Sequence, residues 1–316
     1  METVLQTKNL TKHYKSNMLR QTIRALNGVS FDVMRGEVFG YVGHNGAGKT
    51  TTIKILTGLI SATSGEAKIL GKPLDNIEAR HMVGYLPEQS YFYDYLTARE
   101  IMKFYGRLND MDNKAIVRKS EELFEMLDLT HALDRPLREF SKGMLQRVGV
   151  AQAILHDPHL VILDEPMSGL DPLGRIQIKN IIRMLKKQGK TVFFASHILS
   201  DVEQLCDRVA IITQGKMVQT GSIEELTSQI SSGFEFVVKN WDKTFKESID
   251  NIAEEVEERK DTLVFIAPDE QARSKALSLV TSGKAELESM VSRRVSLEDV
   301  YMKECKSNDE NLDSRN

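Results

Sequence analysis

Residues 43–50 read Gly43-His44-Asn45-Gly46-Ala47-Gly48-Lys49-Thr50, a complete G-x-x-x-x-G-K-[ST] pattern. These residue types suit one task, the holding of phosphates. Glycines let successive backbone N–H groups curl round phosphate oxygens, and a helix N-terminus behind them adds partial positive charge. Lys49 is placed to reach the β- and γ-phosphates, and the Thr50 hydroxyl can ligate Mg²⁺. The residues from Gly43 to Thr51 are therefore the expected nucleotide contacts. A second segment, Leu160-Val161-Ile162-Leu163-Asp164-Glu165, is an apolar run ending in two acids. Carboxylates at the C-terminal end of a buried parallel strand lie where open α/β sheets bind ligands. There Asp164 would hold Mg²⁺ through water, and Glu165 would orient or deprotonate the water that attacks the γ-phosphate. The chemistry implied is hydrolysis of a nucleoside triphosphate.

Such side chains need a rigid frame. Val38–Val42 reads as a buried strand before the glycine loop, and Thr51–Leu56 reads as a helix after it. Up to Gly221 the chain alternates strand-like and helix-like segments. Further strands are expected at Gly28–Val33, Met82–Leu86, Leu160–Leu163, Thr191–Ala195 and Val209–Thr213. Val209–Thr213 and Lys216–Thr220, joined by Gln214-Gly215, form an expected hairpin. Between about Gln89 and Phe140 the character changes. Glu100–Leu108 and Ala115–Leu127 carry apolar residues at helical spacing, which predicts a helical subdomain over about 89–145, inserted between the glycine loop and the acidic strand.

After Gly221 the composition loosens, and residues 227–233 (Thr-Ser-Gln-Ile-Ser-Ser-Gly) read as a linker. A second domain is expected over 227–305. It has strands at Phe234–Val238, Glu255–Arg259, Thr262–Ala267 and Glu286–Val291, and helices at Thr244–Ile252 and Ala272–Val280. That β-α-β-β-α-β order predicts a small α+β domain of ferredoxin-like pattern. Residues 1–226 form the nucleotide-binding domain on this division, and the polar stretch 306–316 is expected to be disordered.

At 316 residues the chain is long enough for two domains with real cores, and 41% hydrophobic with 28% charged residues is globular composition. The net charge of -3 offers no electrostatic reason to expect nucleic acid. Cys206 and Cys305 stand far apart, which fits a reducing cytosol and argues against a disulfide scaffold. The N-terminus lacks a basic and apolar leader pattern, and no window approaches the ~18 apolar residues that would cross a bilayer. A role at a membrane would require docking on another chain.

Three more segments complete a resemblance. Ser141-Lys142-Gly143-Met144-Leu145-Gln146-Arg147 precedes the acidic pair, Ser168-Gly169-Leu170-Asp171 follows it, and Ala195-Ser196-His197 closes the next expected strand. Together with the glycine loop and the acidic pair, these resemble the phosphate loop, signature, D-loop and switch histidine of ABC transporter nucleotide-binding subunits, over roughly residues 3–225. The implied fold is a P-loop NTPase of ABC type: a RecA-like α/β core, an antiparallel β subdomain and the inserted helical subdomain. Ser141 can cap a helix running from Met144 to about His156, whose apolar face is Leu145, Val148, Ala151 and Leu155. The resemblance implies that Ser141 and Gly143 hold the ATP bound to a second subunit, so that two copies pair head to tail. Lys142 and Met144 stand where the family commonly has Gly and Gln.

The resemblance further implies that His197 contacts the γ-phosphate and holds Glu165 and water in line. It places Tyr14, in Leu10-Thr11-Lys12-His13-Tyr14, against adenine, although the stretch from Lys15 to Ile23 is longer than the family's usual turn. A glutamine that coordinates Mg²⁺ is usual after the strand ending near Leu86. Here Leu86-Pro87-Glu88-Gln89 puts Glu88 at the counted position and Gln89 one later; either oxygen could serve a hard cation. Tyr91-Phe92-Tyr93-Asp94-Tyr95 resembles the region that lines the groove for a cytoplasmic helix of the membrane subunit. Arg293-Arg294 and Ser296–Val300 resemble the accessory domain that follows the cassette in drug- and polysaccharide-export ATPases of the ABC-2 type. The expectation is an ATP-hydrolysing subunit that energises a separate membrane permease for export, cytoplasmic and peripheral on the inner face of the cell membrane. The alternative, a soluble ABC ATPase acting in DNA repair or translation, would usually carry two cassettes, zinc ligands or a long coiled coil.

Overall fold

The computed structural model describes residues 2–15, 22–228, 233–293 and 295–302. Part of the stretch after Lys15, the linker residues 229–232, Arg294 and the tail 306–316 lie outside the described residues. The chain divides into two compact units, Met1–Ile223 and Glu224–Asn316.

The first unit opens with two long strands, β1 (Thr3–Lys15) and β2 (Thr22–Met34), followed by β3 (Val38–Val42), the glycine loop and helix α1 (Lys49–Leu56). Next come β4 (Ser64–Ile69), β5 (Lys72–Pro73), the short α2 (Ile77–His81) and β6 (Val83–Leu86). Helices α3 (Ala98–Leu108), α4 (Asn113–Met126) and α5 (Lys142–Ile154) build the inserted helical region. The unit then runs through β7 (Leu160–Asp164), α6 (Pro172–Lys187), β8 (Thr191–Ser196), α7 (Leu199–Leu205), β9 (Arg208–Thr213) and β10 (Lys216–Ser222).

Its central sheet has the order β10-β9-β3-β8-β7-β6, parallel from β9 to β6. Every residue of β3, β7 and β8 is buried, as continuous apolar runs in a sheet covered on both faces require. A second, antiparallel sheet has the order β2-β1-β4-β5. The two sheets meet through stacked aromatic rings. Phe31 of β2 lies 5.7 Å from both Phe39 of β3 and Phe193 of β8, and Phe39 lies 5.9 Å from Phe193. This packing fixes the start of β3, and hence the glycine loop, over the antiparallel sheet.

The second unit begins with α8 (Ile223–Ser228), which takes in Thr227 and Ser228. The sequence reading of these two as linker is corrected here: two acids in the first turn favour the helix N-terminus, and Leu226 is buried. β11 (Phe234–Lys239), α9 (Lys243–Asp250), β12 (Val256–Arg259), β13 (Thr262–Ala267), α10 (Glu270–Leu279) and β14 (Glu286–Ser292) follow in β-α-β-β-α-β order. The sheet order is β12-β13-β11-β14, antiparallel throughout. Its core is Phe236, Val238, Phe245, Ile249, Leu263 and Phe265, with the Phe236 and Phe265 rings stacked at 5.0 Å.

Candidate active site

The glycine loop is shaped by close approaches that only glycine permits. Gly46 and Gly48 have φ of 84° and 111°, in the left-handed region. A Cβ at Gly48 would fall 2.8 Å from the Ala25 carbonyl oxygen, and one at Gly43 would fall 2.4 Å from that of Ile212. Gly215 donates its N–H to the Ala47 carbonyl at 2.9 Å, so the β9–β10 turn clamps the loop from below. Lys49 is 6% exposed, and its ammonium donates to the Gly43 carbonyl at 2.7 Å and to that of His44 at 3.3 Å. Together these elements leave a cleft of about 280 Å³ whose lining includes Asn45, Gly46, Gly48, Lys49, Thr50 and Thr51. Gly43 and Ala47 are buried beneath the loop, and His44 is exposed but outside the cleft lining.

Two acids complete the cleft. Glu165 lies just past β7, with its N–H donated to the Ala195 carbonyl at 3.0 Å. Its φ of 50° is unusual for a residue with a side chain, the kind of strain that gathers at functional sites. One carboxylate oxygen pairs with the Lys49 ammonium at 3.3 Å, and the other lies 2.8 Å from His197 Nδ1. The carboxylate is thus held from both sides by residues from two other elements, α1 and the turn after β8. Asp164, the last residue of β7, is 1% exposed and neither of its oxygens has a hydrogen-bond partner among the described residues. Burial pushes its carboxyl up to about 6; the charges of Glu88 and Glu165 push the same way, while Thr50 and Lys49 pull against them. A buried, unsatisfied acid beside Thr50 is the arrangement a divalent cation would relieve.

Glu88 lines this cleft and Gln89 does not. The Gln89 side chain is engaged elsewhere: Oε1 accepts the Tyr91 hydroxyl at 2.7 Å. Of the two candidates left open by the sequence, the structure therefore brings only Glu88 to the acids. Tyr14 pairs with Ile23 across β1 and β2, is 40% exposed, and has the Lys12 ammonium 5.2 Å from its ring centre. It is not among the residues lining the cleft, although Ala25, two residues beyond its partner Ile23, is.

The signature segment forms a separate surface. Ser141 caps α5, accepting the Met144 N–H at 3.2 Å. The helix therefore starts at Lys142, two residues before the expected Met144, and ends at Ile154, two before the expected His156. A Cβ at Gly143 would sit 3.4 Å from Leu170 Cδ2, and one at Gly169 would sit 3.0 Å from Lys142 Cε. Signature turn and D-loop segment are thus packed together, with the Lys142 side chain laid across Gly169. Gln146, which sequence reasoning passed over, is buried and donates to the Pro166 carbonyl at 3.3 Å, tying α5 to the turn that carries Glu165. The available signal was its helical spacing with Gly149, Val150 and Ala153, all of them buried.

Beyond β6 lies a groove of about 290 Å³ lined by Tyr85, Ser90, Tyr91, Phe92, Tyr105 and His156, among others. Tyr91 is 84% exposed, and Tyr93 and Tyr95 are also exposed, whereas Phe92 is half-buried against Tyr105 at 6.3 Å. No helix of the described residues is long and apolar enough to cross a membrane.

Comparison with known proteins points to one family. The family model described as "ABC transporter" matches residues 26–168. An ABC transporter ATP-binding protein of Synechocystis, sll0415, is 47% identical over 239 residues, 75% of this chain and 67% of the relative. YxlF of Bacillus subtilis, likewise named an ABC transporter ATP-binding protein, is 37% identical over 302 residues, 95% of this chain and 99% of its own. BcrA of Bacillus licheniformis, named a bacitracin transport ATP-binding protein, is 37% identical over 246 residues, 77% of this chain and 78% of its own. Among solved structures, an ATP-binding subunit of an ABC transporter superposes with a TM-score of 0.66 at 31% identity, over 72% of this chain and 92% of its own. A dimeric post-hydrolysis cassette bound to ADP and Pi superposes at 0.64 with 25% identity, over 69% of this chain and 98% of its own. The chain belongs to the ABC transporter ATP-binding protein family, the ATP-binding and ATP-hydrolysing subunits of these transporters.

Proposed function

We propose that two copies pair head to tail, each ATP lying between Lys49, Thr50 and Glu165 of one copy and Ser141 and Gly143 of the other. The observation that carries this reading is the Glu165 carboxylate, held between Lys49 at 3.3 Å and His197 at 2.8 Å at the mouth of the glycine-loop cleft. In that position Glu165 aims a water at the γ-phosphorus and takes its proton. The water oxygen bonds to phosphorus, the bond to the β–γ bridging oxygen breaks, and ADP leaves with the electron pair. His197 keeps the carboxylate aligned and reaches the γ-phosphate. Asp164 and Thr50, with Glu88 near them, would hold Mg²⁺, whose charge would neutralise the phosphate oxygens. The adenine stacks on Tyr14, whose cross-strand partner Ile23 is two residues from Ala25 in the cleft lining.

The permease docks near Tyr91–Tyr95. Exposed aromatic residues beside a shaped groove suit a short helix with an apolar face. This contact places the chain at the inner face of the cell membrane. Export is the direction supported by the relatives named for bacitracin transport and linearmycin resistance, and no nucleic acid takes part.

Glu165→Gln tests the site. It keeps size and shape, so ATP binding should persist while hydrolysis falls by roughly 10²–10⁴-fold, and the paired state should accumulate on ATP in size-exclusion chromatography. Normal turnover in this variant would overturn the assignment. Gentle purification of the tagged protein from its native membrane tests the partner: a co-purifying multispan chain supports it, and recovery with ribosomes or DNA alone moves the reading to the soluble alternative.

A further inference from the structure

The segment 168–171 and His197 are joined by an ion cluster centred on one buried acid. α6 begins directly after Asp171 and α7 begins two residues after His197. Asp171 closes the first turn of α6: its Oδ1 accepts the Gly174 N–H at 2.9 Å and its carbonyl accepts the Arg175 N–H at 3.0 Å. Arg175 and Lys179, four residues apart on one helical face, both reach across to Asp201 on α7. Arg175 Nη2 lies 2.6 Å from Oδ2, and Lys179 Nζ lies 2.8 Å from Oδ1. Lys179 also donates to Gln204 Oε1 at 2.8 Å. The Asp201 side chain is only 2% exposed, and both of its oxygens are engaged by α6. α7 is in turn seated on the strand that feeds the glycine loop, because a Cβ at Gly40 would fall 2.6 Å from Val202 Cγ1.

Burying an acid is costly, and an ion cluster of this kind is often no more stable than apolar packing of the same volume. What it does supply is one fixed geometry between two helices. We infer that Asp201 is a positioning residue for hydrolysis: through Arg175 and Lys179 it locks the 168–171 segment to the turn carrying His197. Movement of that segment when two copies close on ATP then reaches His197 and the Glu165 carboxylate. The inference rests on the paired-copy reading above.

The test is the ATP dependence of hydrolysis by the full chain carrying Asp201→Asn, which keeps the shape and removes the charge. The expected result is a kcat lower by roughly ten- to a hundredfold, the cost of a misplaced catalytic group. The Hill coefficient for ATP falls toward one, while binding of a fluorescent ATP analogue stays within about twofold of the wild-type protein. Asp201→Glu restores most of both kcat and cooperativity. The Arg175→Gln, Lys179→Gln double variant reproduces the defect and adds nothing to Asp201→Asn. Unchanged kcat and Hill coefficient in Asp201→Asn would overturn the inference. So would a loss of kcat that tracks a loss of ATP binding and of melting temperature, because that is the behaviour of a merely structural pair. Failure of the paired-copy reading shows separately, as a Glu165→Gln chain that stays monomeric on ATP.

Discussion

The glycine-loop cleft and the signature surface are made of similar parts, a helix N-terminus with small residues, yet they are built in opposite ways. Around the cleft the Glu165 carboxylate is buried and engaged within one chain, by the buried Lys49 ammonium and by the half-exposed His197 ring. On the signature surface Ser141 and Lys142 are exposed, and the Ser141 hydroxyl is occupied by its own helix cap. Burial preorganises the first, since a low-dielectric site strengthens each interaction and fixes its geometry. The second has a defined shape and no buried charge to complete. On the proposed pairing, folding finishes one half of the site and a second copy finishes the other.

The largest effect should come from the finished half. Lys49→Met removes a cation from Glu165 and the phosphate contact together; ATP binding and hydrolysis should both fall, hydrolysis by roughly 10³-fold or more in a phosphate-release assay. Ser141→Ala should separate the two halves. Nucleotide affinity of the isolated chain stays within about twofold, while steady-state hydrolysis at limiting protein falls by roughly a hundredfold, as for loss of one transition-state donor. If binding falls as much as turnover, the two surfaces act in one chain and the comparison breaks.

Asp164→Asn sharpens it from the side of stability. Removing an orphaned buried charge should raise the stability of the nucleotide-free protein by about 1–3 kcal/mol, read from urea melts, while abolishing the response to Mg²⁺. The pH dependence has two signs. With the Asp164 carboxyl pushed up to about 6, the half-saturating Mg²⁺ concentration should rise about tenfold per pH unit below that value. For the nucleotide-free chain the native state holds this proton more tightly than the unfolded state does. The Asp164 contribution to stability therefore falls as pH rises from the ordinary carboxylate value of 3.8 to about 6, and is level above it.

Smaller effects are expected outside both halves. Tyr91→Ser with Tyr95→Ser should leave hydrolysis by the isolated chain within about twofold, because neither residue lies in the cleft, and should abolish co-purification with the membrane partner. Lys142→Gly should change turnover by about threefold at most: the side chain lies across Gly169 and exposed lysines contribute little by themselves.

Much of this was legible because the decisive signals are local. A glycine loop between an apolar strand and a helix reads directly from residues 38–56, and β3 falls on Val38–Val42 as expected. The β9–β10 turn at Gln214-Gly215 also reads from adjacent residues. The start of α5 was misread by two residues because Ser141 caps it directly, and α8 was hidden in a polar stretch where only Leu226 marks the buried side. Counting favoured Glu88 but could not exclude Gln89, since that depends on the Tyr91 hydroxyl that engages Gln89. Gln146, named only as part of the signature segment, and Asp201, not singled out at all, were given no role, because their partners lie 20 and 26 residues away along the chain.

By itself the sequence pointed to the chemistry: which groups are expected to hold phosphate, which acid is expected to face water and which strands must be central. These follow from residue type, spacing and the period of apolar residues, properties of short stretches. The tertiary structure alone decided which of those groups meet. The 2.8 Å approach of His197 to Glu165, the unsatisfied Asp164 and the contact of Lys142 with Gly169 each join residues from different elements. Such distances are set by how sheets and helices pack, and packing is a property of the whole unit.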